Sequence, residues 1–260
     1  MMLRPHAGAD ALRLGVSRNA ICWDDSPCPL CDSTEAAAVV AEARDTMSAN
    51  GPIFAVVQCR RCRLSYTNPR PDEATLPRFH ESTFFRPRPS LLVRLLDVWF
   101  GGEASFPPGL FEAGRVLDCA PAAAPRLPGN ATRCHREGGS IALPSSSDGR
   151  FDAIVVRRTL EHLHRPREFL QQVSKLLVPG GLLGIRCPNW DRTSTLDLPR
   201  RLTHFNPETL RMMLTTVGLR TRAIRVHRGT FALTAQDRST ANGIDFFPRR
   251  PCLTGGPAPL

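Results

Sequence analysis

Four cysteines stand in two matched pairs, Cys28-x-x-Cys31 and Cys59-x-x-Cys62. Two residues between the cysteines let both thiolates of a pair reach one ion from a tight turn. Two such turns close a tetrahedral site of four thiolates, the structural-zinc arrangement, with no position open for a substrate. The competing readings are unpaired buried cysteines or a redox pair. A second group lies at Glu161-His162, just beyond a short apolar run. If that run is a strand of an α/β sheet, the pair sits at its carboxyl edge, where such sheets bind ligands. His162 is then a candidate general base; alternatively the pair caps the next helix and packs the strand end. Arg157 and Arg158 follow the same run and either hold a carboxylate or phosphate or are solvated. Arg60, Arg61 and Arg63 interleave with the second cysteine pair, as solvated knuckle residues or as a phosphate-binding knuckle.

The stretch from Phe151 to Asn189 supplies the elements that must position the second group. Ala153 to Val156 is an apolar, β-branched run that reads as a buried strand. Pro166 is placed for a helix's first turn. Apolar Phe169, Leu170, Val173, Leu176 and Leu177 follow at i, i+1, i+4, i+7 and i+8, one face of a helix. Pro179-Gly180-Gly181 should stop it, and Leu182 to Cys187 reads as a second apolar strand. Strand, helical crossover and parallel strand make one βαβ unit. The cysteine segment, residues 27–66, has its own expected strand, Ile53 to Val57, delivering Cys59. A unit this small buries too little to fold alone, so a metal would supply much of its folding energy.

These residues resemble a family, the class I S-adenosylmethionine-dependent methyltransferases. The resemblance rests on Phe151-Asp152, Leu160-Glu161-His162-Leu163, Leu177 with Pro179-Gly180-Gly181-Leu182, and Pro188-Asn189. Arg201 to Leu219, RLTHFNPETLRMMLTTVGL, is similar to a further family segment. The four-cysteine unit and Tyr66, Asn68-Pro69-Arg70-Pro71, Leu76 and Phe79 resemble the subfamily with an N-terminal zinc-binding module. Arg63 and His80 stand where that subfamily usually has glycine and tyrosine. The resemblance implies a Rossmann-like sheet, methyl transfer from S-adenosylmethionine, and a sugar or other small metabolite as acceptor. It places Asp118, Cys119, Ala120 and Arg157 on the cofactor side. Glu161, His162 and His204 fall on the catalytic, substrate side.

The cofactor side departs from the family pattern. Arg115-Val116-Leu117-Asp118 reads as the first sheet strand, but the loop after it is Cys119-Ala120-Pro121-Ala122-Ala123-Ala124-Pro125. The family has glycines there, because the backbone must turn sharply and approach the cofactor closely. From Asp118 to Phe151 there are 32 intervening residues (151 − 118 − 1), about one βαβ unit's worth, where the family fits more. Ser140 to Leu143 is one candidate remnant strand. The expected fold class is therefore α/β, a Rossmann-like methyltransferase sheet truncated on its cofactor side, plus a small N-terminal zinc module.

Around this frame, residues 1–26 are expected as a disordered lead-in and 27–85 as the zinc module with a helical extension over Asp72 to His80. Residues 86–114 should hold a helix at Pro89 to Phe100 and a linker, and 115–235 the α/β domain. Asn206 should cap a helix reaching Val217, with Pro207 first, Glu208 in the first turn and Gly218 as its stop. Leu219 to Val226 and Thr230 to Thr234 should form a closing hairpin, and 236–260 a disordered tail.

The chain of 260 residues is 42% hydrophobic, enough for one α/β domain and a small accessory unit. No apolar run reaches the ~18–20 residues that span a bilayer, and Arg13 breaks the run Ala11 to Val16. The expectation is a cytoplasmic protein with no membrane partner; Arg4, Arg13 and Arg18 leave a transit peptide as the alternative. The net charge is +10, nearly all from arginine, with Lys175 the single lysine. The arginines are scattered rather than striped, which argues against nucleic acid. A small-molecule or anionic substrate or a protein partner fits better. Nine cysteines, an odd number, argue for metal ligation over a disulfide framework. Two function classes stay open: a methyltransferase with a rebuilt cofactor loop, and a non-catalytic descendant, a pseudoenzyme that binds a partner protein or an anionic ligand. A third, weaker reading is a zinc-ribbon nucleic-acid binder, which failure to bind DNA or RNA at low salt would remove.

Overall fold

The structure, a computed structural model, describes residues 21–35, 38–45, 52–81, 106, 110, 114–121, 124, 127, 131–137, 140–145, 149–190, 197–227 and 229–237. The expected helix at Pro89 to Phe100, most of the lead-in and linker, and the tail beyond 237 lie outside these residues.

The continuous apolar run becomes the central strand β10 (Phe151–Arg157), buried along nearly its whole length. It pairs in parallel with β6 (Val116–Cys119) on one side and β11 (Leu177–Pro188) on the other. Helix α2 (Pro166–Leu176) makes the crossover, opening on Pro166 and burying Phe169, Leu170, Val173 and Leu176. Pro179-Gly180-Gly181 is not a loop between helix and strand. Leu177 already pairs with Phe151, and pairing resumes at Ala153 with Leu182. The glycines thus sit in a bulge within β11. Gly180 has φ 79, and a Cβ on Gly181 would come within 2.9 Å of the Val178 carbonyl oxygen.

The six-stranded sheet has the order β13-β14-β11-β10-β6-β7. β13 (Leu219–His227) and β14 (Thr230–Asp237) form the antiparallel hairpin that closes one side. On the other side is β7 (Thr132–Arg133), parallel to β6 and two residues long. Ser140 does begin a strand, β9 (Ser140–Ala142), but it pairs with β8 (His135–Glu137) in a separate hairpin rather than joining the main sheet.

Helix α3 (Pro207–Thr216) starts as its sequence dictates. The Asn206 side chain accepts from the Thr209 N–H at 2.8 Å, and the Thr209 hydroxyl serves the Asn206 N–H at 3.1 Å, a reciprocal box. Gly218, at φ 83, ends it. Replacing Asn206 with Ala is expected to cost about 1 kcal/mol of stability, read as a lower urea midpoint at unchanged slope.

The cysteine unit is built on a second, antiparallel sheet. Its strands are β2 (Ala38–Arg44), β3 (Ile53–Gln58), β4 (Ser65–Thr67) and β12 (Thr203–His204), in the order β12-β4-β3-β2. β12 comes from the α/β region and pairs Thr203 with Tyr66 and His204 with Ser65. Trp23–Asp24, expected within the lead-in, forms β1 against β5 (Arg70–Pro71). Helix α1 (Leu76–Glu81) supplies the expected extension, starting later than Asp72. The two units share one apolar cluster: Cys28, Leu30, Val57, Leu64 and Tyr66 join Ile154, Val156, Leu170 and Phe205. Buried Arg200 ties them further, donating to Asp45 at 2.9 Å and to Asp197 at 2.8 Å.

Candidate functional site

The two cysteine turns are copies of one another. Cys28 N–H donates to the Ser33 carbonyl at 3.0 Å and Asp32 N–H to the Cys28 carbonyl at 2.9 Å. In the second turn Cys59 N–H donates to Leu64 at 2.9 Å and Arg63 N–H to Cys59 at 3.0 Å. The residue after each pair turns left-handed: Asp32 at φ 56 and Arg63 at φ 65. That is the conformation glycine takes without strain, which accounts for the glycine usual at the Arg63 position. The four Sγ atoms lie within 4.8 Å of one another, with Cys28 to Cys62 at 3.4 Å and Cys31 to Cys59 at 3.6 Å. A tetrahedral zinc with Zn–S bonds of ~2.3 Å needs Sγ separations of about 3.8 Å, so the residues fit that ion. Burial pushes the Cys62 thiol up to about 11 and the Cys28 thiol well above its usual range. A bound divalent cation reverses that cost by taking up the thiolates.

The residues expected on the cofactor side gather at the carboxyl end of β6. Asp118, Cys119, Ala120 and Arg157 are all buried. Arg157 donates to both carboxylate oxygens of Asp118, at 3.1 and 3.0 Å. Arg133, on β7, donates to the same carboxylate at 2.9 Å and to the Ala124 carbonyl at 3.1 Å. Arg133 escaped sequence reading because a two-residue strand carries no periodicity. Behind this bridge Cys119 and Cys134 bring their sulfurs to 3.1 Å.

Of the residues expected on the substrate side, Glu161 and His204 meet where β10 and β11 end. Glu161, Trp190, Arg201, Thr203, His204 and Phe205 line a small cleft. Glu161 and His204 share it. His162 does not line it; its Nδ1–H donates to the Arg200 carbonyl at 2.7 Å, and its Nε2 stands 3.8 Å from Glu161. The Thr67 hydroxyl donates to the Arg201 carbonyl at 2.8 Å, so it accepts from His204 Nε2–H at 3.1 Å. His204 is thereby held as the Nε2–H tautomer, with its ring 4.9 Å from that of Trp190. Burial, with the Arg201 charge second, pulls its pKa down to about 3. His204 is a neutral hydrogen-bonding group at physiological pH and a weak base. Trp190 and Arg201 join the cleft through long-range packing, and only the nearby family segment hinted at Arg201.

The His204 shift sets a pH dependence. Unfolded, the imidazole takes a proton below about pH 6.5; folded, it stays neutral down to about 3. The unfolded state therefore binds the extra proton between those values, and stability falls as pH falls through that window. The expected loss is a few kcal/mol by pH 4. Urea titrations between pH 4 and 7 on wild type and His204→Gln read it, the variant losing most of the slope.

Comparison with known proteins bears on both groups. Residues 108–224 match the family described as "Methyltransferase domain". That segment is similar to the methyltransferase family. The chain is 28% identical, over an alignment of 169 residues, to a ubiquinone biosynthesis O-methyltransferase of Caulobacter sp. (strain K31). The alignment covers 62% of this chain and 62% of that relative, so the chain spans less than two thirds of its length. Among solved structures, an S-adenosylmethionine-dependent methyltransferase of Mesorhizobium loti is similar at 14% identity and TM-score 0.37, covering 53% of this chain and 96% of that one. One from Methanosarcina mazei is similar at 15% identity and TM-score 0.36, covering 51% and 98%. Among the described residues, no helix is long and apolar enough to cross a membrane.

Proposed function

We propose that this methyltransferase-family protein is a non-catalytic descendant that binds a small anionic ligand at the carboxyl edge of its main sheet, with structural zinc in its four-cysteine unit. One observation carries the reading: the Asp118 carboxylate is bridged on both sides by Arg133 and Arg157. Two guanidiniums around one carboxylate leave a net charge of +1. S-adenosylmethionine brings a sulfonium and an ammonium against one carboxylate, a net charge of +1, to the place where its family binds it. In a buried setting that repulsion is strong, and Asp118 has no carboxylate oxygen left clear of arginine. The described residues thus disfavour the cationic centres of that cofactor. They do suit a phosphate or carboxylate, which guanidinium groups bind in fork geometry. Arg133, with a side chain 16% exposed against 5% for Arg157, is the arginine an incoming anion meets.

The second reading is an active methyltransferase acting on a sugar or other small metabolite, favoured by the family match and the O-methyltransferase relative. Thermal melts of zinc-loaded protein separate the two. Millimolar pyrophosphate is expected to raise the melting temperature, because a ligand of the folded state stabilises it by mass action. S-adenosylmethionine and S-adenosylhomocysteine are expected to leave it unchanged. Stabilisation by S-adenosylhomocysteine and none by pyrophosphate would establish the second reading instead.

A further inference from the structure

We propose that Cys119 and Cys134 are a modification site, a thiol pair that closes to a disulfide across β6 and β7. This inference is independent of which ligand the sheet edge binds. Cys119 ends β6 and Cys134 directly follows β7. The register Asp118 to Arg133 sets the two cysteines side by side. Neighbouring strands run about 4.8 Å apart, inside the Cα separation of roughly 4.4–6.8 Å that a disulfide tolerates. The sulfurs are already at 3.1 Å, so closing to a bond of about 2.05 Å moves them by about 1 Å and needs no backbone rearrangement. The Cys134 N–H also donates to the Asp118 carbonyl at 3.1 Å, which holds the second cysteine in place. Neither residue belongs to the four-cysteine cluster.

The two thiols are unequal. Cys119 is fully buried, whereas Cys134 is 7% exposed. The hydrogen bond from Cys119 lowers the Cys134 pKa, and the same bond raises that of Cys119. Cys134 is therefore the attacking thiolate. With glutathione disulfide as oxidant, the Cys134 sulfur attacks one glutathione sulfur. The glutathione S–S bond breaks, a mixed disulfide forms, and the first glutathione leaves as a thiolate that takes up the Cys134 proton. The Cys119 sulfur then attacks Cys134 and expels the second glutathione, which takes up the Cys119 proton. Two protein thiols are oxidised by two electrons, and one glutathione disulfide is reduced to two thiols. The bond closes a loop with 14 intervening residues (134 − 119 − 1). It staples β7, two residues long, to the main sheet, and with it fixes Arg133 on Asp118.

The test uses the full, reduced, zinc-loaded chain equilibrated with glutathione disulfide, quenched in acid, alkylated and digested with trypsin. The expected product joins residues 116–126 to residues 134–136, in excess over any other linked pair. Cys119→Ser is expected to trap glutathione on Cys134. Full alkylation of both Cys119 and Cys134 in the wild-type protein, without the linked peptide, would overturn the proposal. So would linkage of either cysteine chiefly to one of the zinc-site thiols. The wild-type digest decides the matter even if the serine variant fails to fold.

Discussion

Stripping zinc from the purified protein with a chelator is expected to unfold the cysteine unit and to lower the melting temperature of the whole chain by about 10 °C or more. Structural zinc sites contribute on the order of 10 kcal/mol, against a total stability of roughly 5–15 kcal/mol for a domain. The loss should not stop at the cysteine unit. Leu30, Val57, Leu64 and Tyr66 belong to the same apolar cluster as the strands of the main sheet. Arg167 also reaches across, donating to the Leu30 carbonyl and pairing with Asp32 at 2.7 Å. Metal analysis should give about one zinc per chain, set by the four-thiolate donor count. A protein that purifies without zinc, or whose melt ignores the chelator, would contradict the assignment. Cys59→Ser is expected to reproduce the chelator's effect in part, since three thiolates hold the ion less well.

Arg200→Met is expected to cost about 3–5 kcal/mol, the second large effect. Arg200 is 1% exposed, and its loss would leave Asp45, itself buried, without that cation. Asp197 would lose its partner as well. Burial alone would push the Asp197 carboxyl up, yet the Arg200 charge holds it below its usual value. Its contribution is present above the unfolded carboxyl pKa and is lost as pH falls through the folded one. Arg200→Lys should recover part of the stability, because one ammonium cannot serve two carboxylates and the Phe79 carbonyl as a guanidinium fork does. Urea midpoints of the three proteins read the difference. Equal midpoints for wild type and Arg200→Met would mean that the two units are not tied at this point.

What the sequence made legible is what short-range chemistry controls. The apolar run of β10, the amphipathic face of α2 and the Asn206 cap follow from neighbours three or four residues apart. The cysteine quartet follows from spacing within each pair. Contacts without a local signature were not legible. β12 docks on β4, so Thr203 and His204 complete the sheet of a unit that the sequence places more than a hundred residues earlier. Arg200 meets Asp45 across a separation of 155 residues. Strand β7 is too short for a pattern, and with it Arg133 and the neighbour of Cys119 stayed hidden. The glycines of Pro179-Gly180-Gly181 carried a correct turn signal. It marked a bulge inside a strand, because pairing at Leu177 begins as soon as the helix ends. Among the candidate site residues, Glu161 and His204 line one cleft, while His162 spends its Nδ1–H on a backbone carbonyl.

The bridge of Arg133, Asp118 and Arg157 is best tested by calorimetric titration of the reduced, zinc-loaded protein. We expect saturable heat with pyrophosphate, weakened at least tenfold by Arg133→Leu, and no heat with S-adenosylmethionine up to millimolar concentration. Micromolar binding of S-adenosylmethionine that is lost in Asp118→Ala would contradict the account and return the protein to the working methyltransferases.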